Sequence, residues 1–135
     1  MEAARPYDEP VVAVHRDLHD GQLLAGEGLV ALLDLDGLAA GAPMLDAANL
    51  SAHFELRVLQ GLGGADAHGA EVCGRALFEG FAVADTEGLH AALRFYQATT
   101  FLRLALLYAL RPRWAHLARP LVHYAERCLD ELALA

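Results

Sequence analysis

Side chains that carry oxygen ligands occur in two groups in the first third of the chain, each directly after a short apolar run. Asp17 and Gln22 follow one run, and Asp34 and Asp36 follow the next. Loops at strand ends hold reactive groups on a rigid support, so neighbouring strands would bring these four side chains together. Crowded carboxylate and amide oxygens repel one another unless a cation joins them, and hard oxygen ligands of this kind suit Mg²⁺. The spacing therefore predicts a magnesium site.

The elements that would position this site are short. The run 11–14 is rich in β-branched residues and predicts a buried strand. Residues 23–24 and 30–33 predict the two arms of a hairpin closed by 25–28. The Gly- and Ala-rich stretch 34–43 predicts an irregular loop.

The remainder of the chain predicts helices, because apolar residues recur at helical spacing beyond Pro43. Asp46 is a candidate N-cap of the first helix, Gly61 its end, and Thr86 a candidate cap of the third. The predicted helices run from 46 to 61, from about 66 to 84, from 86 to 111 and from about 114 onward. The fold class is therefore α+β, mainly α, with a small β-hairpin element followed by about four helices.

Composition limits the functional classes. The chain has 135 residues, a net charge of −8 and 56% apolar residues. This length suits one domain, and the apolar content excludes disorder for most of the chain. The acidic balance argues against a nucleic-acid partner, and the richest apolar run, 101–110, is too short to span a membrane and is interrupted by Arg103. Cys73 and Cys128 are predicted to be buried thiols in a reducing, cytoplasmic setting.

Several motifs resemble a known family. Residues 15–18 read His-Arg-Asp-Leu, and Gln22 follows after three intervening residues. This pattern resembles the catalytic loop of protein-kinase-like enzymes, where Asn follows the same block after three residues. Residues 33–36 (Leu-Asp-Leu-Asp), 41–43 (Gly-Ala-Pro) and 46–48 (Asp-Ala-Ala) are similar to the metal-binding segment of the aminoglycoside phosphotransferase and choline kinase family. The resemblance implies the C-terminal lobe of a kinase-like fold.

The resemblance also implies roles for the acids of the site. Asp17 would orient the acceptor hydroxyl or take its proton, and Asp34 would bridge Mg²⁺ and the phosphates of ATP or GTP. Gln22 stands where the family usually has Asn and would offer its amide oxygen to the metal. Asp36 would assist as an outer acid. Arg16 is a departure, because small-molecule enzymes of this family often carry Gly there.

Four further residues receive supporting roles from the same resemblance. His15 would brace the catalytic loop through hydrogen bonds, and Asp46 would accept hydrogen bonds from the loop backbone while capping its own helix. His19 and Glu55 are candidates for the substrate groove. The substrate would be an aminoglycoside, an amino sugar, a choline-like amine or a sugar, and the acidic composition favours a cationic one.

The expected domain organisation is one domain over 1–135, divided into a catalytic loop and metal-binding hairpin at 11–45 and a helical subdomain at 46–135. Family members clamp the nucleotide with a lysine from an N-terminal lobe. All ten basic residues of this chain are Arg. We therefore expect that lobe to be absent, the chain to be inactive alone, and a separate lobe chain or a homodimer to be its partner.

Two other functions remain open from the sequence. A catalytically inactive helical module would bind a partner or a second copy through apolar surface left uncovered. A metal-dependent hydrolase would use His15, Asp17 and His19, together with Asp34, to bind Zn²⁺.

Overall fold

A short β region precedes four helices, so the α+β, mainly α class is confirmed. The computed structural model describes residues 10–81 and 87–134. The strands are β1 (Val12–Val14), β2 (Leu23–Gly26), β3 (Leu29–Leu32) and β4 (Ala39–Gly41). The helices are α1 (Pro43–Gln60), α2 (Ala67–Phe81), α3 (Glu87–Ala109) and α4 (Ala118–Ala133). The predicted end of the second helix at 84 and the predicted cap Thr86 lie outside the described residues.

The strands form two separate antiparallel pairs. β2 pairs with β3 from Leu23↔Leu32 to Gly26↔Leu29, which confirms the hairpin. β1 pairs with β4, so the prediction that 34–43 is entirely irregular was wrong. Gly41 makes this pairing possible, because a Cβ there would lie 2.7 Å from a methyl carbon of Val14. β1 is also less buried than predicted: Val14 is buried, whereas Val12 is 38% exposed.

The ends of α1 follow from its sequence. The helix starts at Pro43 after the N-cap Ala42, so the prediction that Asp46 caps it was wrong. Proline suits the first helical position, because it has no N–H to leave unpaired and its φ is already helical. Gly61 ends the helix with φ 63°, a left-handed conformation that glycine adopts without a steric penalty, as predicted.

The helices pack around α1 and α3. The larger apolar cluster joins α1, α3 and α4 and contains the fully buried Leu56 and Leu121. The smaller cluster joins α1 to α2 and α3 around Met44 and Phe78. Burying one such side chain contributes about 1.5–3 kcal/mol, so these clusters fix α1 as a rigid support for the loops that precede it.

The two cysteines differ in environment. Cys128 is buried against the larger cluster, as predicted, whereas Cys73 is exposed on α2, and the prediction that it is buried was wrong. Its neighbours on α2 include Gly69 and Gly74, and only Phe78 among the residues of this helix is buried. Among the described residues, no helix is long and apolar enough to cross a membrane.

Candidate functional site

The loop that carries the predicted catalytic residues runs along one face of α1. After β1 the chain passes through residues 15–19 into a short 3₁₀ helix, Asp20–Gln22, and then enters β2. Polar residues spaced three or four apart on α1 face this loop, since that spacing places side chains on one side of a helix. We call this set the α1 polar stripe; its members are Asp46, Asn49, His53 and Arg57.

The first member, Asp46, binds the start of the loop. Its carboxylate accepts hydrogen bonds from the backbone N–H of His15 at 2.6 Å and of Arg16 at 2.9 Å. These bonds are the ones the resemblance led us to expect. Asp46 is only 4% exposed, and hydrogen bonds to a charged acceptor are each worth about 1.5–3 kcal/mol. The loop is therefore fixed at the residues just before Asp17.

Backbone conformation at Arg16 is unusual. Its φ is 73°, in the left-handed region. For a residue with a Cβ this conformation costs roughly 1–2 kcal/mol relative to glycine. Glycine would avoid that cost, so Arg16 keeps a strained backbone and adds an exposed side chain next to Asp17 in the sequence.

The second member, Asn49, links the loop to α3. Its amide nitrogen donates to the carbonyl oxygen of Leu18 at 2.7 Å, and its amide oxygen accepts from Arg103 at 2.6 Å. The other terminal nitrogen of Arg103 lies 3.6 Å from a carboxylate oxygen of Asp17. Arg103 therefore places a positive charge next to the predicted catalytic acid.

The remaining members hold the end of the loop. Arg57 donates two hydrogen bonds to the carboxylate of Asp20, at 2.7 and 3.0 Å. Burial acts to raise the pKa of Asp20, but the hydrogen bond and charge of Arg57 outweigh it, and the pKa is lowered. The rings of His53 and His19 stack with centroids 5.0 Å apart. Burial, reinforced by the charge of protonated His19, lowers the pKa of His53 to about 4.

Gln22 and Asp34 meet at the metal position that the sequence predicts. The Gln22 side-chain amide donates to a carboxylate oxygen of Asp34 at 3.3 Å. The approach comes from the pairing of β2 with β3: Gln22 directly precedes β2, Leu33 directly follows β3, and the Leu33 N–H donates to the Gln22 carbonyl oxygen beyond the Leu23↔Leu32 pair. The prediction that the strand at 11–14 would neighbour β3 was wrong, because β1 and β3 belong to different sheets. The His15 ring bonds to the Leu33 carbonyl oxygen at 2.7 Å. This contact is the brace expected of His15.

Asp17 and Asp34 line one open cavity of about 320 Å³, whose wall also includes His15 and Arg103. Asp34 has φ 57° and ψ 56°, a left-handed conformation that aspartate tolerates better than most residues. His19 lies on the other side of Asp17, with its Nε2 4.0 Å from a carboxylate oxygen. Two acids and an arginine thus share a space large enough for a small substrate.

The donor set at this position fits Mg²⁺. Asp34 is exposed, so water can complete the coordination that a carboxylate and one amide oxygen begin. In the structure Gln22 directs its amide nitrogen toward Asp34, and rotating the amide by half a turn would direct its oxygen there instead. The residues can therefore provide two oxygen ligands for such an ion.

Two predicted site residues lie elsewhere. Asp36 is exposed in the 3₁₀ helix Leu35–Gly37 and is not among the residues that line the cavity of Asp17. Glu55 lines a different cavity, between α1, α2, α3 and α4, together with Arg94 and Arg127. Burial raises the pKa of Glu55, partly opposed by a hydrogen bond from Tyr124.

Sequence reasoning missed three members of the α1 polar stripe: Asn49, His53 and Arg57. The signal was available, because together with Asp46 they recur three or four residues apart, which places them on one side of a helix. It also missed a second group of possible metal ligands, in which the ligand atoms of His19, Asp20 and His53 lie within 4.8 Å of one another. This group differs from the histidine set that the sequence suggested for Zn²⁺.

Comparisons with known proteins found no relative from which a role for these residues could be taken. A scan against protein-family models found no match, and searches for similar curated proteins and similar solved structures also found none. The geometry is therefore a loop fixed to α1, with Asp17 and Asp34 facing one cavity and Gln22 beside Asp34.

Proposed function

We propose that this chain is the C-terminal catalytic lobe of a kinase-like phosphotransferase that moves the γ-phosphoryl group of ATP or GTP to a hydroxyl of a small molecule. Asp17 takes or orients the hydroxyl proton, and the hydroxyl oxygen attacks the γ-phosphorus as the bond to the nucleoside diphosphate breaks. Asp34 and Gln22 hold Mg²⁺, which neutralises the phosphate charge when bound. The acceptor belongs to the aminoglycosides, amino sugars, choline-like amines or sugars.

One observation carries this proposal: Asp17 and Asp34 line the same cavity, and the Gln22 amide lies 3.3 Å from Asp34. An acid that faces the same cavity as a carboxylate with an amide beside it supports the proposal, because phosphoryl transfer uses an acid for the hydroxyl near oxygen ligands for a metal. The tight hold of Asp46 on the loop supports the proposal, because positioning supplies most of the rate in this chemistry.

The metal site can be tested with Mn²⁺, which shares the preference of Mg²⁺ for oxygen ligands and is observed directly by paramagnetic resonance. We expect Asp34→Asn to weaken Mn²⁺ binding at least tenfold, because a charged ligand is lost. The matched control is Asp36→Asn, which removes an exposed carboxylate two residues away and should leave the affinity unchanged. Equal affinity in the wild type and Asp34→Asn would overturn the assignment.

Binding of the donor nucleotide requires a lysine that these 135 residues do not contain. We propose that a lysine-bearing β-lobe outside these residues provides it. Large apolar residues exposed on the β region support a partner there; Leu29 is 76% and Val30 is 70% exposed. ATP turnover by these 135 residues alone, abolished in Asp17→Ala, would contradict the need for such a lobe. A stable homodimer without metal binding would instead indicate a non-catalytic module.

A second candidate function, a Zn²⁺-dependent hydrolase, is favoured by the group of His19, Asp20 and His53. Against it, both carboxylate oxygens of Asp20 already accept hydrogen bonds from Arg57. Tight Zn²⁺ binding that excess Mg²⁺ does not displace, and that is lost in His53→Phe, would favour the hydrolase over the phosphotransferase.

We also propose that the chain acts in the cytoplasm. Both of its cysteines are free thiols, Cys73 exposed and Cys128 buried, and free thiols are typical of a reducing compartment.

A further inference from the structure

A second cavity, of about 250 Å³, lies next to the cavity of Asp17. Its charged lining residues are arginines, whereas the cavity of Asp17 also has acids in its wall. Its wall includes Arg16, Arg103, Asn49, Thr99 and Thr100, and it contains no carboxylate among the described residues that line it. Arg16 and Arg103 also line the cavity that holds Asp17 and Asp34. The two arginines therefore stand between the acids of the candidate site and a positively charged recess.

We propose that this recess, which we call the arginine subsite, binds an anionic group of the acceptor substrate, a carboxylate or a phosphate, while the substrate hydroxyl lies at Asp17. The proposal rests on the proposed function, since it specifies the substrate class of the same site. Of the acceptor classes named above it selects the sugars, in an acidic form such as a sugar acid or a sugar phosphate, and it excludes the cationic amines that the net charge of −8 favours.

Arg103 is held in a position to make such a contact. One terminal nitrogen donates to Asn49 at 2.6 Å, and the other lies 3.6 Å from Asp17. These contacts orient the planar guanidinium group and leave at least three of its five N–H donors for a ligand. Arginine is the side chain best suited to this role, because its paired donors match the two oxygens of a carboxylate or phosphate.

Arg16 supplies the second positive charge of the recess, although its backbone conformation is unfavourable for a residue with a Cβ. Its φ of 73° is one that glycine would adopt without strain, and its side chain is exposed at the boundary of the two cavities. Strained residues are concentrated at sites where the side chain has a function. Binding an anion together with Arg103, in the wall of the same recess, is such a function, and the hydroxyl-bearing Thr99 and Thr100 provide further polar groups there.

Isothermal titration calorimetry at low salt, without metal or nucleotide, tests the proposal with four probes. Gluconate and glucose 6-phosphate carry a hydroxyl and an anion, glucose is neutral, and glucosamine is cationic. We expect at least one anionic probe to bind ten times or more tightly than glucose and glucosamine, and the comparison of gluconate with glucose 6-phosphate identifies the preferred anion. Binding of glucosamine as tight as that of both anions would overturn the proposal.

Variants assign the binding to the subsite. We expect Arg103→Gln to weaken anion binding at least tenfold, whereas Arg119→Gln, which removes an exposed arginine on α4, should change nothing. Because Arg103→Gln could also loosen the contact with Asn49, Arg16→Gly provides an independent test. It should weaken anion binding similarly while keeping or raising the urea midpoint, since glycine relieves the strained φ. Anion binding unchanged in both variants would overturn the proposal.

The outcome is separable from that of the proposed function. Anion titrations contain no metal, and the Mn²⁺ titrations of Asp34→Asn contain no anionic probe. Metal binding without anion binding overturns the arginine subsite alone. Anion binding with no metal site at Asp34 supports the subsite and overturns the phosphotransferase proposal.

Discussion

Asp46→Asn is the change that most directly tests how the loop is held. The wild-type carboxylate accepts two backbone hydrogen bonds, from His15 at 2.6 Å and from Arg16 at 2.9 Å. Asparagine keeps one carbonyl oxygen and replaces the other oxygen with an NH₂ group, which cannot accept a hydrogen bond. One backbone N–H therefore donates to a neutral oxygen instead of a charged one. The other backbone N–H faces the NH₂ group, which is itself a donor.

The magnitude follows from these two losses. Replacing a charged acceptor by a neutral one costs about 1 kcal/mol, and leaving a buried N–H unpaired costs about 1–3 kcal/mol. We therefore expect Asp46→Asn to lower the free energy of unfolding by about 2–4 kcal/mol. Urea denaturation at pH 7 followed by circular dichroism measures this difference from the midpoint and slope.

The control is Asp36→Asn, the same chemical change at an exposed carboxylate, for which a difference of less than about 0.5 kcal/mol is expected. A loss below about 0.5 kcal/mol in Asp46→Asn would refute the reasoning, because it would mean that the two hydrogen bonds contribute almost nothing to stability.

Two further predictions concern pH and packing. Because the pKa of His53 falls to about 4 in the folded protein, the unfolded state binds more protons between pH 6.5 and 4, and stability should decrease as pH falls through this window, by at most about 3 kcal/mol. His53→Phe should reduce the dependence of the urea midpoint on pH between pH 6.5 and 4. An unchanged dependence would mean that other titrating groups cause it. Gly41→Ala should lower the free energy of unfolding by about 1–3 kcal/mol, because the new Cβ would lie 2.7 Å from a methyl carbon of Val14. Gly26→Ala, with open space around its Cβ position, is the control, and an equal loss in both variants would exclude the steric cause.

Elements with strong local signals were predictable. The hairpin formed from two apolar arms joined by a glycine-containing turn, and α1 ended where Gly61 permits a left-handed residue. β4 was not predictable, because Ala39–Gly41 has no β-branched residue and its pairing depends on how closely Gly41 approaches Val14. Local propensity does not contain such a contact between distant residues.

In the candidate site, too, some contacts follow from local sequence and others depend on how distant elements pack. Spacing indicated that Gln22 and Asp34 would meet, and they do so at the end of the β2–β3 pair, because Gln22 directly precedes β2 and Asp34 lies two residues beyond β3. The neighbouring strand that the spacing suggested, β1, belongs to a different sheet. Arg103 approaches Asp17 from α3, far along the chain. Its position depends on how α3 packs against α1, which the pattern of one helix does not specify.

The α1 polar stripe has a consequence for where the chain tolerates changes in length. Each residue added to a helix turns everything beyond it by about 100°. One residue inserted between Asp46 and Asn49 would therefore turn Asn49, His53 and Arg57 together away from the loop that they hold. An insertion at the turn between β2 and β3 would alter none of these contacts. Natural length variants of this protein should therefore be found at the hairpin tip and not in the first turns of α1.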